Sequence, residues 1–519
     1  MITGDFETHI TVAASKAEEL AVFAAEHGLG FVHIELDRGD TPSQPMLTLH
    51  GSGTLDRRRA EIRDWYERLR AAGFRPVRNK IEATPWSIGV PQTDREARDE
   101  PADRYFEHHI KVRLPSERVT DVLAVTDIAE RHGARLSRNA RRRDPDGRPE
   151  RFVNQRCHRS GRADATERLD ALVHDLRAAG HEVVSAEQEY VVHDSQLALD
   201  RGWLSPVVPC YQDRYEDRNR TAPAGPGFPP TYRPIPRGWE VEQRAAFDPA
   251  LKQHRNAYTA GEPHFTDPDL GQRWRGARRK AMRHLLTMLA ASRWAGHLVL
   301  RGSAAMEAWV GASAREPGDL DFVITPRTVT SDSSEAGELF AGILTALTDV
   351  PGAGLRPGRA AQSAIWTYER ADGRRLVIPF EVPGLPDGTV QIDVVFGEHL
   401  PVAPEPLTVL GVPVVAATAG LSLAWKLQWL ATDGYPQGKD LYDAVLLAEH
   451  TTVDLDLVRD LMRPELGDAA DRFTAATVLA WTDVDWRNFT DAYPRVEGTA
   501  ADWARRLALA LDRPGQDRS

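Results

Sequence analysis

The segment FETHITV at residues 6–12 returns as FEHHIKV at 106–112, and LRAAG at 69–73 returns at 176–180. A duplicated unit must fold the same way twice, so each copy constrains how the other can be read. The first copy reads strand, helix, strand, strand, helix, strand, over roughly 5–12, 15–27, 30–36, 45–50, 56–72 and 74–82. Ile62, Trp65, Leu69 and Ala72 give its second helix one apolar stripe at helical spacing, as Leu169, Leu172 and Leu176 do in the second copy. That order predicts two ferredoxin-like units, 1–84 and 104–200, arranged as a pseudo-twofold pair.

At 519 residues the chain exceeds what one hydrophobic core serves, so further domains are expected. The stretch PWSIGVPQTDREARDEPAD (85–103) joins the copies, and a linker dense in Pro and Gly spans 201–240. Beyond it we expect an αβ core over 241–410, a helical part over 411–512, and a frayed tail ending in DRPGQDRS. The fold class expected for the whole is α+β.

No run of about 18 apolar residues occurs, which excludes a helical membrane span, and the start lacks a basic-then-apolar signal. Cys157 and Cys210 are too sparse for a disulfide framework or a cysteine zinc site, and cytoplasm is the expected compartment. A formal charge of −11 argues against indiscriminate coating of nucleic acid.

The second half carries the chemistry. The strand LVLR (298–301) runs into Gly302-Ser303, and the chain re-emerges as Asp319-Leu320-Asp321-Phe322. A Gly-Ser turn at a helix start leaves backbone N–H groups open to an anion, and the Ser303 hydroxyl adds a donor. Asp319 and Asp321 project from the same side of a strand, where they repel unless something positive lies between them. A divalent metal is the usual solution. Asp393, in VQIDVVF (390–396), is again a lone carboxylate among β-branched neighbours, costly unless neutralised. Asp-x-Asp with a third acid on a later strand matches a two-metal site for nucleotidyl transfer, with magnesium the expected ion.

Only seven of the 65 basic residues are lysine, so a lysine in the apolar helix GLSLAWKLQWLA asks for a reason. Lys426 is either a snorkelling side chain or a cation directed at a triphosphate. Lys439-Asp440-Leu441-Tyr442-Asp443 opens the next helix, where the dipole favours both aspartates and Lys439 offers a second nucleotide contact.

Two other readings compete for the first half. His9-Ile10-Thr11 and His50-Gly51-Ser52 have the form used by two-histidine phosphoesterases, but the equivalent His109-Ile110-Lys111 has lost the hydroxyl. Eleven arginines between 131 and 162, including Arg141, Arg142 and Arg143, form either a solvated hairpin tip or a phosphate-tracking patch for RNA.

Gly302-Ser303, Asp319-Leu320-Asp321-Phe322, QIDVVF, AWKLQWLA and KDLYDAVLL together resemble the AbiEii/AbiGii toxin family of nucleotidyltransferases, in the polymerase-β-like superfamily. The resemblance covers roughly 270–460. It implies a small αβ nucleotidyltransferase core with a helical C-terminal part, an NTP substrate, an RNA or tRNA acceptor, and an antitoxin partner. By the resemblance Asp319, Asp321 and Asp393 bind metal, Lys426 binds nucleotide, and Asp440 is the essential helix aspartate. The chain departs from the pattern in more than one respect: Ser303 stands where the family often has a second glycine. An arginine common between the helical lysine and the Lys-Asp pair is missing from QWLATDGYPQG. Two alternatives stand beside this reading: a nucleotide-binding regulator with little catalysis, and a transferase acting on a protein or small-molecule acceptor.

Overall fold

In β1 (Thr3–Val12), Phe6, Ile10 and Val12 alternate with Glu7, His9 and Thr11, so one face of the strand is greasy and the other polar. The greasy face meets Leu20 and Phe23 of the Ala17–Glu26 helix and Ile62 and Leu69 of the Leu55–Ala71 helix. Thr54 caps the second of these helices by accepting from the Arg57 amide. Helices therefore lie outside the sheet, and the polar face turns inward.

The computed structural model describes residues 2–141, 146–204, 235–236, 238–243, 245–247, 258–365 and 372–513. The chain is a mixed α/β protein of two compact units, Met1–Pro209 and Cys210–Ser519. Arg142 and Arg143, the linker over 205–234, most of AIWTYE and the last six residues lie outside the described residues.

In the first unit β1 is followed by β2 (Gly30–Leu36), β3 (Ser43–Thr54), β4 (Pro76–Ala83), β5 (Tyr105–Arg113), β6 (Arg135–Asn139), β7 (Glu150–His158) and β8 (Glu182–Asp194). They close into one barrel in the order β1-β3-β2-β6-β7-β5-β8-β4. Within that ring each copy repeats one order, β4-β1-β3-β2 and β8-β5-β7-β6. The copies join through β2 with β6 and β4 with β8, so no sheet edge is left open.

In the second unit β9 (Val241–Glu242), β10 (Ala245–Phe247), β11 (Tyr258–Ala260) and β12 (His264–Phe265) form two short antiparallel pairs. The main sheet follows: β13 (Leu298–Arg301), β14 (Leu320–Ile324), β15 (Ala361–Ile365), β16 (Asp372–Phe380), β17 (Gly388–Phe396), β18 (Glu405–Val409) and β19 (Val412–Ala416). Its order is β15-β16-β17-β14-β13-β19-β18, with β14 parallel to β17 and β13 parallel to β19. The last hairpin turns at Leu410 and Gly411, both at positive φ.

Strand alternation divides this sheet cleanly. Leu298, Leu300, Leu320, Phe322, Ile392 and Val394 pack in the core shared with the Pro268–Ala290 and Ser334–Asp349 helices. Val299 and Val323 point to the opposite face, against Leu421 and Trp425 of the Ala419–Thr432 helix. Asp321 and Asp393 fall on this second face by parity. The Gly438–His450 helix packs on the Ala419–Thr432 helix, and the Leu455–Leu466, Trp486–Ala492 and Ala500–Leu511 helices complete the unit.

Candidate functional site

Four charged residues form a row across the sheet. Arg301 of β13 is the register partner of Asp321 on β14, which pairs with Asp393 on β17, which pairs with Arg375 on β16. Directly opposed side chains on one face lie within contact distance, so this register sets two carboxylates side by side with an arginine at each end. Asp319, one residue before β14, joins them. Oxygens of Asp319, Asp321 and Asp393 all lie within 4.8 Å of one another.

The electrostatics follow from that crowding. Burial, then the charges of Asp319 and Asp393, push the Asp321 carboxyl well above its ordinary range, with Arg301 and Lys439 pulling the other way. Asp393 is also raised, chiefly by burial, although Arg375 opposes the shift. Arg375 grips both Asp393 oxygens, Nε to Oδ1 at 2.8 Å and Nη2 to Oδ2 at 2.7 Å, and Gln391 Nε2 donates to Oδ2 at 3.0 Å. A carboxylate has about four lone-pair sites, so this clamp fixes Asp393 without exhausting its oxygens. The donor set is all oxygen, which suits a hard divalent cation such as magnesium.

Gly302 occupies φ 76°, a conformation that side chains disfavour, and caps the Ser303–Val310 helix. A β-carbon built there would overlap the Asp321 carboxylate. Ser303 is buried, and its Oγ donates to Asp319 Oδ1 at 3.4 Å. The glycine is therefore required twice, by backbone angle and by space. Gly302→Ala is expected to cut nucleotide transfer sharply while the helical part stays folded. Wild-type transfer kinetics in that variant would contradict the close approach.

Lys426 does not snorkel. It is 6% exposed, and its Nζ donates to Asp440 Oδ1 at 2.6 Å with Asp443 Oδ2 at 3.3 Å. Burial works to lower its pKa, but Asp440 and Asp443 outweigh it and the net shift is upward. Asp440 is lowered, since Lys426 and Lys439 overcome the burial that would raise it. Lys439 is exposed.

Sequence reasoning missed two arginines. Arg375 stands in RRLVIPF, where its place opposite Asp393 depends on a register no local pattern encodes. Arg315 lies in an irregular segment after the Ser303–Val310 helix and forks onto Asp443, Nε to Oδ1 at 3.1 Å and Nη2 to Oδ2 at 3.0 Å. Asp319 also acts on it. A guanidinium thus stands beside Lys426 although the segment between the two helices has none. Of the arginine-rich stretch, Arg141 pairs with Glu18, Arg138 with Glu35 and Arg148 with Glu182, while Arg156 is buried with Glu107 and Asp200. His9 and His109 face the barrel interior and His50 is exposed.

Residues 283–510 match the family model described as "Nucleotidyl transferase AbiEii toxin, Type IV TA system". Over those residues the chain is similar to this family, which makes it a nucleotidyltransferase. Among solved structures, an antigenic nucleotidyltransferase-like protein from Paracoccidioides brasiliensis is similar at 16% identity over 36% of this chain and 93% of that one, with a TM-score of 0.24. A mutant chlorite dismutase from Candidatus Nitrospira defluvii is similar at 11% identity over 38% of this chain and 93% of that one, with a TM-score of 0.15. Likeness at these scores carries no argument about the fold. No curated protein matches the chain. Among the described residues, no helix is long and apolar enough to cross a membrane.

Proposed function

We propose that the C-terminal half transfers a nucleoside monophosphate from an NTP to an acceptor hydroxyl, with magnesium held by Asp319, Asp321 and Asp393. The observation that carries this reading is the approach of those carboxylates across the neighbouring strands β14 and β17, beside a glycine-capped helix. Bound there, magnesium would supply positive charge to the reacting phosphate and lower the pKa of the attacking hydroxyl.

The chain's own residues do the rest. Gly302 keeps the start of its helix open to a phosphate, and Ser303 steadies Asp319 while offering a hydroxyl. Arg375 and Gln391 hold Asp393 in one orientation. Lys426 and Lys439 are read as nucleotide-binding cations, Lys426 locked in place by Asp440. On this reading Asp319, Asp321, Asp393, Lys426 and Asp440 are the catalytic set.

The acceptor proposed is RNA, on the family resemblance, and the biological role that of a toxin or defence protein restrained by an antitoxin partner in the cytoplasm. We read the repeated strand order of the first unit as a ferredoxin-like duplication, with domains at 1–84, 104–200, 241–410 and 411–512 and a linker at 201–240. The test incubates the full chain with each α-labelled NTP, magnesium and total RNA. Label entering the RNA fraction, lost with EDTA or with Asp319→Ala, is the expected result. Label entering only protein or small molecules would replace the acceptor. Retention of NTP with no labelled product would favour a nucleotide-binding regulator.

A further inference from the structure

The barrel of the first unit has a polar interior that nucleotide transfer by the second unit does not use. Strand parity turns Glu7 and His9 of β1, Arg78, Lys80 and Glu82 of β4, Tyr105, Glu107 and His109 of β5, and Asn154 and Arg156 of β7 inward. The internal repeat is visible in their pairing. Glu7 faces Glu82 across β1 and β4, and Glu107 faces Glu189 across β5 and β8. His9 Nε2 lies 3.1 Å from Glu82, and His109 Nε2 lies 3.5 Å from Glu189.

Three of these side chains converge. Ligand atoms of Glu82, Glu107 and His109 lie within 4.8 Å of one another. Both glutamates are 1% exposed, a burial that isolated carboxylates do not tolerate. Lys80 and Arg156 supply charge: Lys80 Nζ pairs with Glu107 and lies 2.7 Å from Glu82, and Arg156 Nε is 2.8 Å from Glu107. Glu82 is met by Lys80 at 2.7 Å and His9 at 3.1 Å, ion pairs without well-aligned hydrogen-bond geometry. Arg78 and Arg156 are shared with Asp194 and Asp200, so fixed cations on this face are outnumbered by carboxylates.

Two further observations point to a ligand. The Tyr105 hydroxyl, on a residue 1% exposed, projects from the same strand face as Glu107 and His109 and has no hydrogen-bond partner among the described residues. Lys80, Glu107, Arg156 and Asp194 are its charged neighbours. A buried phenol with nothing to bond is expected to meet something when the site is filled. The histidine is also oriented as a metal ligand would be. His109 Nδ1 is 2.8 Å from Asn154 Oδ1, whose amide nitrogen is committed to Ser137 Oγ at 2.8 Å, so Nδ1 donates and Nε2 is left toward the carboxylates.

We propose that Glu82, Glu107 and His109 form a divalent-cation site inside the N-terminal barrel, with Tyr105 placed to bond a water or anion on the ion. One imidazole with two carboxylates selects a borderline transition ion, Mn2+, Fe2+ or Zn2+, over the magnesium that suits an all-oxygen set. Asn154 is a positioning residue for this site, since it acts through His109.

The test uses the full chain carrying Asp319→Asn and Asp321→Asn, which silences the acidic cluster of the other unit. Mn2+ is titrated and followed by loss of the free-ion resonance, and Co2+ is titrated and followed by its absorption bands. One tightly held ion per chain is expected to remain. His109→Ala should weaken it at least about 10-fold and alter the Co2+ spectrum as the nitrogen ligand is lost. Glu107→Gln should weaken it similarly, with circular dichroism reporting whether the barrel stays folded. Failure of the double variant to bind either ion at millimolar concentration would overturn the proposal, whatever the single variants do. So would undiminished binding in a folded His109→Ala chain, which would leave the interior a self-contained salt-bridge network.

Discussion

Asp321→Asn should abolish nucleotide transfer and, in EDTA, leave the chain at least as stable as wild type. The loss of transfer follows from removing a charge from the shared oxygen cluster, and at least ~10²-fold is the scale on which such a preorganised contact acts. The stability expectation follows from linkage. Burial, with Asp319 and Asp393 nearby, raises the folded-state pKa of Asp321 above its unfolded value. Between those two values the native chain binds more protons than the unfolded one, so stability falls as pH rises through the window. Above the unfolded value Asp321 is therefore a cost to the folded chain that asparagine does not carry. The advantage of the variant should vanish below the ordinary carboxylate range, where the group is protonated in both states. Saturating magnesium should reverse the order, since an ion at a hundredfold its Kd adds about 2.7 kcal/mol to wild type and little to the variant. Thermal melts in EDTA and in magnesium, at neutral and acid pH, check each step. Retained transfer, or a melt in EDTA clearly below wild type, would show that Asp321 does not belong to a cation site.

Much of that site could be read from spacing alone, because a strand fixes its own parity. Asp319 and Asp321 had to share a face, and Asp393 stood out as a charge among β-branched neighbours. Lys426 was legible as a rare lysine in an apolar helix. Its partners were less so: Asp440 and Asp443 meet it because the Ala419–Thr432 and Gly438–His450 helices pack together. Arg375 and Arg315 were illegible for a plainer reason. One depends on the register of β16 against β17, and the other on the path of a loop, and neither leaves a period in the sequence. The same limit applied to the barrel. Repetition gave the strands and helices of each copy, but closure depends on β2 meeting β6 and β4 meeting β8, contacts between copies that no local pattern records. His9 and His109 consequently read as ordinary sheet-face residues, when closure puts them among buried carboxylates.

Asp443→Ala should be the most destabilising single change in the helical part. Asp443 is 0% exposed and receives a two-nitrogen fork from Arg315, while Lys426 Nζ lies 3.3 Å away. Removing it leaves a guanidinium and an ammonium close together in a buried site, with Asp440 still serving Lys426 but not replacing the fork on Arg315. Stranding a buried charge in this way costs about 3–5 kcal/mol. That is large against the 5–15 kcal/mol that typically holds a domain folded. Lys426→Met makes the opposite change. It removes the cation, together with its place over the Trp429 ring, and leaves Asp443 with Arg315; Asp440 loses its ammonium partner but can be neutralised by a proton, so the melt should fall less. If Lys426 contacts the nucleotide, however, its substitution should raise the KM for NTP in a chain that remains folded. The pair separates structure from binding: Asp443→Ala should show its effect first in a melt, Lys426→Met first in a substrate titration. A melt of Asp443→Ala matching wild type would mean that Arg315 finds another anion, and that the Arg315–Asp443 fork does not hold the helical part in place.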